Sequence, residues 1–116
     1  MKLELFLIPT TDLDASLTLY RDGLGFVELW REGETTAALT MPGNDAQIML
    51  DASDPDAVPG PMFVVESVQA FHDTRPATLT VMAEPSEIPG GYLAAYQEPG
   101  GSMIYVLDQS TESTPE

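Results

Sequence analysis

The sequence predicts an α+β domain built from two copies of a βαβββ module. Three observations carry that expectation. A short helix with both ends marked lies at residues 11–26, between strand-like segments only. The same order of segments returns after a proline-rich stretch. Matching residues in the two halves stand a nearly constant distance apart.

The helix is the clearest element. In TDLDASLTLYRDGLGF, Asp12 suits an N-cap because its carboxylate can accept from the free N–H groups of the first turn. Asp14 adds negative charge near the positive end of the helix dipole. Leu13, Leu17, Tyr20 and Leu24 recur at helical spacing and form one apolar stripe. Gly23 and Gly25 supply the permissive backbone for a stop. The stripe needs a partner, and with strands on both sides that partner is a sheet.

Around it, Leu3 to Ile8 reads as a strand ended by Pro9. Phe26 to Arg31 and Thr35 to Met41 are strands joined by the turn Glu32-Gly33-Glu34. Pro42-Gly43-Asn44-Asp45 is a second turn, and Ala46 to Leu50 the fourth strand. Residues 1–51 therefore form the first module. Residues 52–61, polar and rich in proline, read as a linker.

The second module, residues 62–108, repeats the order. Met62 to Glu66 is a strand. Ser67 caps a short helix holding Val68, Ala70 and Phe71, which must end by Pro76. Ala77 to Met82 is a strand and Pro85 to Gly91 a loop. Tyr92 to Gln97 and Met103 to Leu107 are the last strands, on either side of Glu98-Pro99-Gly100-Gly101. Asp12 matches Ser67 at a displacement of 55, and Ile48 matches Ile104 at 56, the mark of an internal repeat. Residues 109–116 are a polar tail with no reason to be ordered.

A chain of 116 residues is one structural domain by size. It has no cysteine, hence no disulfide and no thiolate chemistry. Nineteen acidic against four basic residues give a formal charge of −15. That balance disfavours nucleic acid and anionic membrane as partners and favours cationic ligands. Met1-Lys2-Leu3-Glu4 does not open a signal peptide, and no apolar run could span a bilayer, so a cytoplasmic location is expected.

Asp12, Ser16, Tyr20, Arg21 and Gly23-Leu24-Gly25-Phe26 resemble the helix-one pattern D-L-x-x-S-x-x-F/Y-Y-R-x-x-L-G-F of the vicinal oxygen chelate superfamily. That superfamily includes glyoxalase I, extradiol dioxygenases and the bleomycin-resistance proteins. The stretch Glu98-Pro99-Gly100-Gly101-Ser102-Met103-Ile104-Tyr105-Val106 is similar to its closing D-P-x-G-x-x-I-E-L. The resemblance implies the glyoxalase/bleomycin-resistance fold, with incurved mixed sheets around a cavity and helices on the outer face. Period two then sends Ile48, Leu50, Ile104 and Val106 toward the helices. Gln47, Met49, Met103, Tyr105 and Leu107 turn toward the cavity. The resemblance also implies a homodimer, in which modules exchange through residues 51–61 if they exchange at all.

Metal enzymes of this superfamily carry His, Glu or Gln on the first and last strands of each module. Those positions fall on Leu5, Met49, Gly60 and Tyr105, which are not a set of hard-cation ligands. Neither a metal nor another cofactor is expected, and catalysis of the superfamily's metal-dependent kind is not favoured. His72, the one histidine, reads as an exposed structural residue. No serine has a His–Asp partner set, and no glycine-rich phosphate loop precedes a helix.

What remains is an apolar, aromatic lining. Its candidate ligand-binding residues are Leu5, Trp30, Met49, Met62, Tyr92, Tyr96, Met103 and Tyr105. Aromatic faces suit flat or cationic compounds, and methionines give adaptable walls. The leading expectation is a metal-independent small-molecule binder. It would be similar to the bleomycin-resistance proteins, which sequester a cationic glycopeptide in an acidic dimer groove. A metal-dependent lyase or dioxygenase and a non-catalytic interaction module are the alternatives.

Overall fold

A computed structural model of the chain describes residues 1–111. The chain divides into two compact units, Glu4–Gly60 and Pro61–Glu116 with Met1–Leu3. Each is a four-stranded mixed sheet with one helix, so the fold is α+β and each half has the order βαβββ.

In the first unit the strands are β1 (Lys2–Pro9), β2 (Val27–Glu32), β3 (Thr36–Thr40) and β4 (Gln47–Asp51). They lie in the order β2-β3-β4-β1, with β1 and β4 parallel and the other pairs antiparallel. The helix α1 (Leu13–Leu17) starts where the sequence marks it. Asp12 is extended, and its Oδ1 accepts from the Ala15 N–H at 3.1 Å. Leu13 and Leu17 are buried against Ala37, Leu39 and Leu50, with Ile8, Ile48, Tyr20 and Phe26 around them.

Beyond Leu17 the helix widens into a π-helical segment, Thr18–Gly23, closed by the Leu24 N–H donating to the Leu19 carbonyl five residues back. One extra residue in a turn rotates every later residue by about 100° around the axis. Leu24, expected in the apolar stripe, is therefore 59 % exposed. Phe26 joins the core in its place and meets Tyr20 edge-on at 5.5 Å.

The second unit holds β5 (Gly60–Val64), α2 (Val68–Thr74), β6 (Thr80–Ile88), β7 (Gly91–Gln97) and β8 (Met103–Leu107). The strand order is β5-β8-β7-β6, with β5 and β8 parallel. The core under α2 is Val68, Ala94, Tyr96 and Val106. β5 begins at Gly60, inside the stretch expected as linker. β6 runs through Pro85, so most of the expected loop at 85–91 is strand. Proline is tolerated there because β6 is an outer strand whose pairing with β7 shifts register twice.

Asp108, just past β8, is 2 % exposed and ties the unit together. Its Oδ2 accepts from the Val68 N–H at 2.7 Å, completing the start of α2 beside the Ser67 cap on Ala70. Its Oδ1 accepts from the Tyr92 N–H at 3.0 Å and from both the N–H and hydroxyl of Ser110. Burial alone would raise this carboxyl's pKa; the hydrogen bonds from Val68, Ser110 and Tyr92 outweigh it and hold it below the ordinary aspartate value. Gly91 is required beside it, since a Cβ there would lie 2.5 Å from Asp108 Oδ1. Ser110 and Thr111, whose N–H donates to the Gly90 carbonyl, are held, although the sequence predicts a disordered tail from residue 109. Residues 112–116 of that expected tail lie outside the described residues.

Asp108→Asn turns one of two accepting oxygens into a donor that faces an N–H. We expect it to cost about 1–3 kcal/mol at neutral pH. With its pKa below the unfolded value, the native carboxylate contributes fully above about pH 4, and that contribution is lost as pH falls through the lower folded value. Thermal melts of the two proteins from neutral pH into acid should converge.

Candidate functional site

A strand under a helix turns one face toward it and the other away, here called the open face because no helix lies on it, although Leu5, Leu7 and Ala38 on it are buried. In the first unit the pairing register lays out the open face row by row. Trp30 stands opposite Ala38, Ala38 opposite Met49, and Met49 opposite Leu7. One step along, Thr40, Gln47 and Leu5 form a second row. In the other direction Glu32, Thr36 and Asp51 form a third.

Trp30 reaches this face only because β2 is bulged. Glu28 pairs with Leu39 on the helix side, yet Trp30, two residues on, pairs with Ala38 on the open side. The extra residue is Leu29. Trp30 is 38 % exposed, and its cross-strand partner Ala38 is fully buried. Glu32 sits two residues along β2, about 7 Å away. In the third row Asp51 is engaged locally, accepting from Thr36 and from the Ser53 N–H and hydroxyl.

The second unit repeats the row with different side chains. Met62 pairs with Tyr105, Tyr105 with Ala95 and Ala95 with Ala83. Met103 shares this face two residues along β8. Met62 and Tyr105 are buried, and Ala83 stands where the first unit has Trp30. Of the residues singled out from the sequence, the structure places Leu5, Trp30 and Met49 on the open face of one unit. It places Met62, Met103 and Tyr105 on the open face of the other.

The placement of Tyr92 and Tyr96 on that lining is corrected. Both pack on the helix side of the second sheet, in the core with Val68, Ala94 and Val106. Tyr96 pairs with Ile104, which faces α2, so it must share that face. It is fully buried and meets Phe71 edge-on at 5.6 Å. Burial pushes its hydroxyl pKa up.

His72 is also not the exposed residue expected. Its side chain is 12 % exposed, with Nδ1 2.7 Å from the Tyr96 hydroxyl and Nε2 3.0 Å from Glu84 Oε2. A carboxylate can only accept, so Nε2 carries a hydrogen; in the neutral ring Nδ1 then accepts from the tyrosine hydroxyl. This line from β7 through α2 to β6 fastens the helix to its sheet. Nothing in the local sequence pairs His72 with residues 12 and 24 positions away.

On the helix side of β2, Glu28 Oε1 accepts from Arg31 Nη2 at 2.6 Å and from Arg21 Nη1 at 3.0 Å. The Arg31 hydrogen bond leads in holding the Glu28 carboxyl below its ordinary value. Arg21 also bonds Asp22.

The family model of the Glyoxalase/Bleomycin resistance protein/Dioxygenase superfamily matches residues 2–106. The chain belongs to that superfamily. Among solved structures, an NAD-dependent benzaldehyde dehydrogenase from Legionella pneumophila is similar at 17 % identity and TM-score 0.70, over 90 % of this chain and 97 % of that one. A hypothetical protein from Bacillus halodurans C-125 is similar at 16 % identity and TM-score 0.69, over 99 % and 97 %. A glyoxalase/bleomycin resistance protein/dioxygenase superfamily member from Vibrio splendidus 12B01 is similar at 15 % identity and TM-score 0.62, over 90 % and 96 %. At these identities the likeness is one of fold. No curated protein matches the chain.

The superfamily's metal enzymes raise the question of a metal site. Leu5, Met49, Gly60 and Tyr105 offer a hydrocarbon, a thioether, no side chain and a phenol, which do not fit a divalent cation. Among the described residues no group of three His, Cys, Asp or Glu side chains converges. No helix among them is long and apolar enough to cross a membrane.

Since Tyr96 and His72 fasten the core, Tyr96→Phe should lower stability by about 0.5–1.5 kcal/mol in a thermal melt. Quenching of the tryptophan by small molecules should be unchanged.

Proposed function

We propose that the protein is a metal-independent small-molecule binder. It receives a flat aromatic or cationic compound on the open face of the first unit, with Trp30 as the stacking surface. The observation that carries this reading is the bulge in β2, which brings the chain's one tryptophan onto the helix-free face beside the small Ala38.

Each neighbour of Trp30 has a role in that reading. Met49 and Leu7 in the same row give an apolar wall, the thioether adapting its shape to the guest. Leu5 extends the wall by one step. Glu32 on the same face supplies a carboxylate for a positive group, and the net charge of −15 draws cations in at low salt. Met62, Met103 and Tyr105 take the corresponding positions on the helix-free face of the second unit, where Met62 and Tyr105 are buried. Membership of a superfamily that includes bleomycin-resistance proteins supports binding as the activity. The unsuitable donors at Leu5, Met49, Gly60 and Tyr105 support an absence of metal chemistry. The reading takes the protein to act as a cytoplasmic homodimer.

A fluorescence screen tests it. Cationic aromatic compounds should quench Trp30 more strongly than matched anionic ones, and the difference should shrink as salt is raised. Trp30→Ala should weaken the best hit by roughly tenfold, about 1.4 kcal/mol, when followed by calorimetry. Tighter binding of anionic compounds, or a Trp30→Ala protein of unchanged affinity, would falsify the assignment of Trp30.

Metal independence has its own check. Protein purified without chelator should carry well under one equivalent of zinc, nickel, manganese or iron by elemental analysis. Its melting temperature should not move on dialysis against EDTA. Stoichiometric metal that stabilises the fold would overturn this part of the reading.

A further inference from the structure

Matching positions of a duplicated scaffold meet similar packing demands, so the two helix-free faces can be compared row by row. Met49 corresponds to Tyr105, and with them Ala38 to Ala95 and Trp30 to Ala83. One row along, Gln47 corresponds to Met103, at the displacement that relates Ile48 to Ile104. In the other direction Glu32 corresponds to Ser86. The scaffold thus accepts a thioether where the first unit carries an amide, and packing does not require Gln47 to be polar.

The Gln47 side chain is also uncommitted. It is half-buried, between Thr40 on β3 and Leu5 on β1. Leu5 has no polar side-chain atom. The Thr40 hydroxyl is taken up by the carbonyls of Asn44 at 2.8 Å and Ala46 at 2.9 Å. Among the described residues no side chain or carbonyl engages the Gln47 amide group. Glu32, at the other end of the face, forms no ion pair among them.

We propose that Gln47 binds a carboxamide- or lactam-type edge of the guest and so decides which way round it lies, positive group at Glu32 and amide edge at Gln47. This assignment rests on the ligand reading above. It narrows the guest to an elongated aromatic compound, cationic at one end and amide-like at the other.

The chemistry of the side chain selects the group. A glutamine amide offers N–H donors and a carbonyl acceptor side by side. A primary carboxamide or a lactam answers both through two parallel hydrogen bonds. An ammonium or a tertiary amide answers only one of them. A carboxylate also answers one, and the net charge of −15 repels it. A few polar groups at the margins of an apolar wall fix the orientation of a guest. Gln47 lies two strands from Glu32 and two rows away, so their Cα atoms are about 17 Å apart at ordinary strand and residue spacings. Two linked rings with a substituent at each end bridge that separation, and their middle falls in the row of Trp30.

Three biphenyls test the assignment, each with a para amidinium at one end. At the other end one carries a para carboxamide, one its N,N-dimethyl derivative and one only hydrogen. Calorimetry and Trp30 quenching follow their binding. The native chain should hold the carboxamide about tenfold tighter than the other two. Gln47→Met installs the side chain that the second unit has at this position. It should keep the native melting temperature, bind all three compounds alike and match the native affinity for the one bearing hydrogen. Equal binding of the three by the native chain overturns the proposal and leaves the ligand reading standing. An undiminished preference in Gln47→Met overturns it in the same way. If none of the three binds or quenches Trp30, the ligand reading falls and this assignment with it. The comparison of compounds on the native chain decides the matter even where the variant fails to fold.

Discussion

A strand has two faces, and only one of them can lie under a helix. Nearly everything in this protein depends on which side chains that alternation assigns to which face. The helix side of each sheet carries a closed set of apolar residues: Ala37, Leu39 and Leu50 under α1, and Ala94, Tyr96 and Val106 under α2. The opposite face is left with whatever falls between them. Two single-residue insertions then change the assignment in the first unit. The π-helical segment after α1 replaces Leu24 by Phe26 in the core. The bulge at Leu29 moves Trp30 to the open face while keeping Glu28 and Arg31 together on the other. A shift of one residue exchanges the two faces, so such insertions are the cheapest way to place a functional side chain on a repeated scaffold.

The elements governed by local chemistry were legible in the sequence. Asp12 and Ser67 cap as their side chains suggest, and Glu32-Gly33-Glu34 turns on a Gly33 of positive φ. The repeat, and with it the superfamily, followed from motifs of short range. Ile48, Leu50, Ile104 and Val106 face the helices as the alternation requires. The misplaced residues share a different cause. The face of Tyr96 is set by its pairing with Ile104, and that of Tyr92 by the same strand, so both depend on a register no local pattern records. His72 is drawn in by Tyr96 and Glu84, partners far along the chain. Pro85 reads as a breaker unless it is known that β6 lies at an edge.

Asp108 was not singled out for the same reason. Its donors are the N–H groups of Val68, Tyr92 and Ser110 and the Ser110 hydroxyl, and a backbone N–H leaves no mark in a motif. Helices as short as α2 are marginal by propensity alone and take their stability from tertiary contacts. A buried carboxylate at the first N–H, a serine at the third and a histidine anchored to a core tyrosine together hold this one in place. No comparable carboxylate from β4 reaches the start of α1 among the described hydrogen bonds; Asp51 instead serves Thr36 and Ser53. The two halves thus share a plan but not the means of fastening the helix.

That asymmetry has a spectroscopic consequence. The chain's only indole sits at the rim of the first unit, whereas the hydrogen-bonded phenol of Tyr96 lies at the centre of the second. Tryptophan emission is therefore a gauge of one half of the chain, and of its surface rather than its core. The hydroxyl proton of Tyr96, shielded and engaged by His72, is the natural nuclear-resonance probe of the other half. Followed side by side, the two signals would tell whether the duplicated halves come apart in one step or in succession.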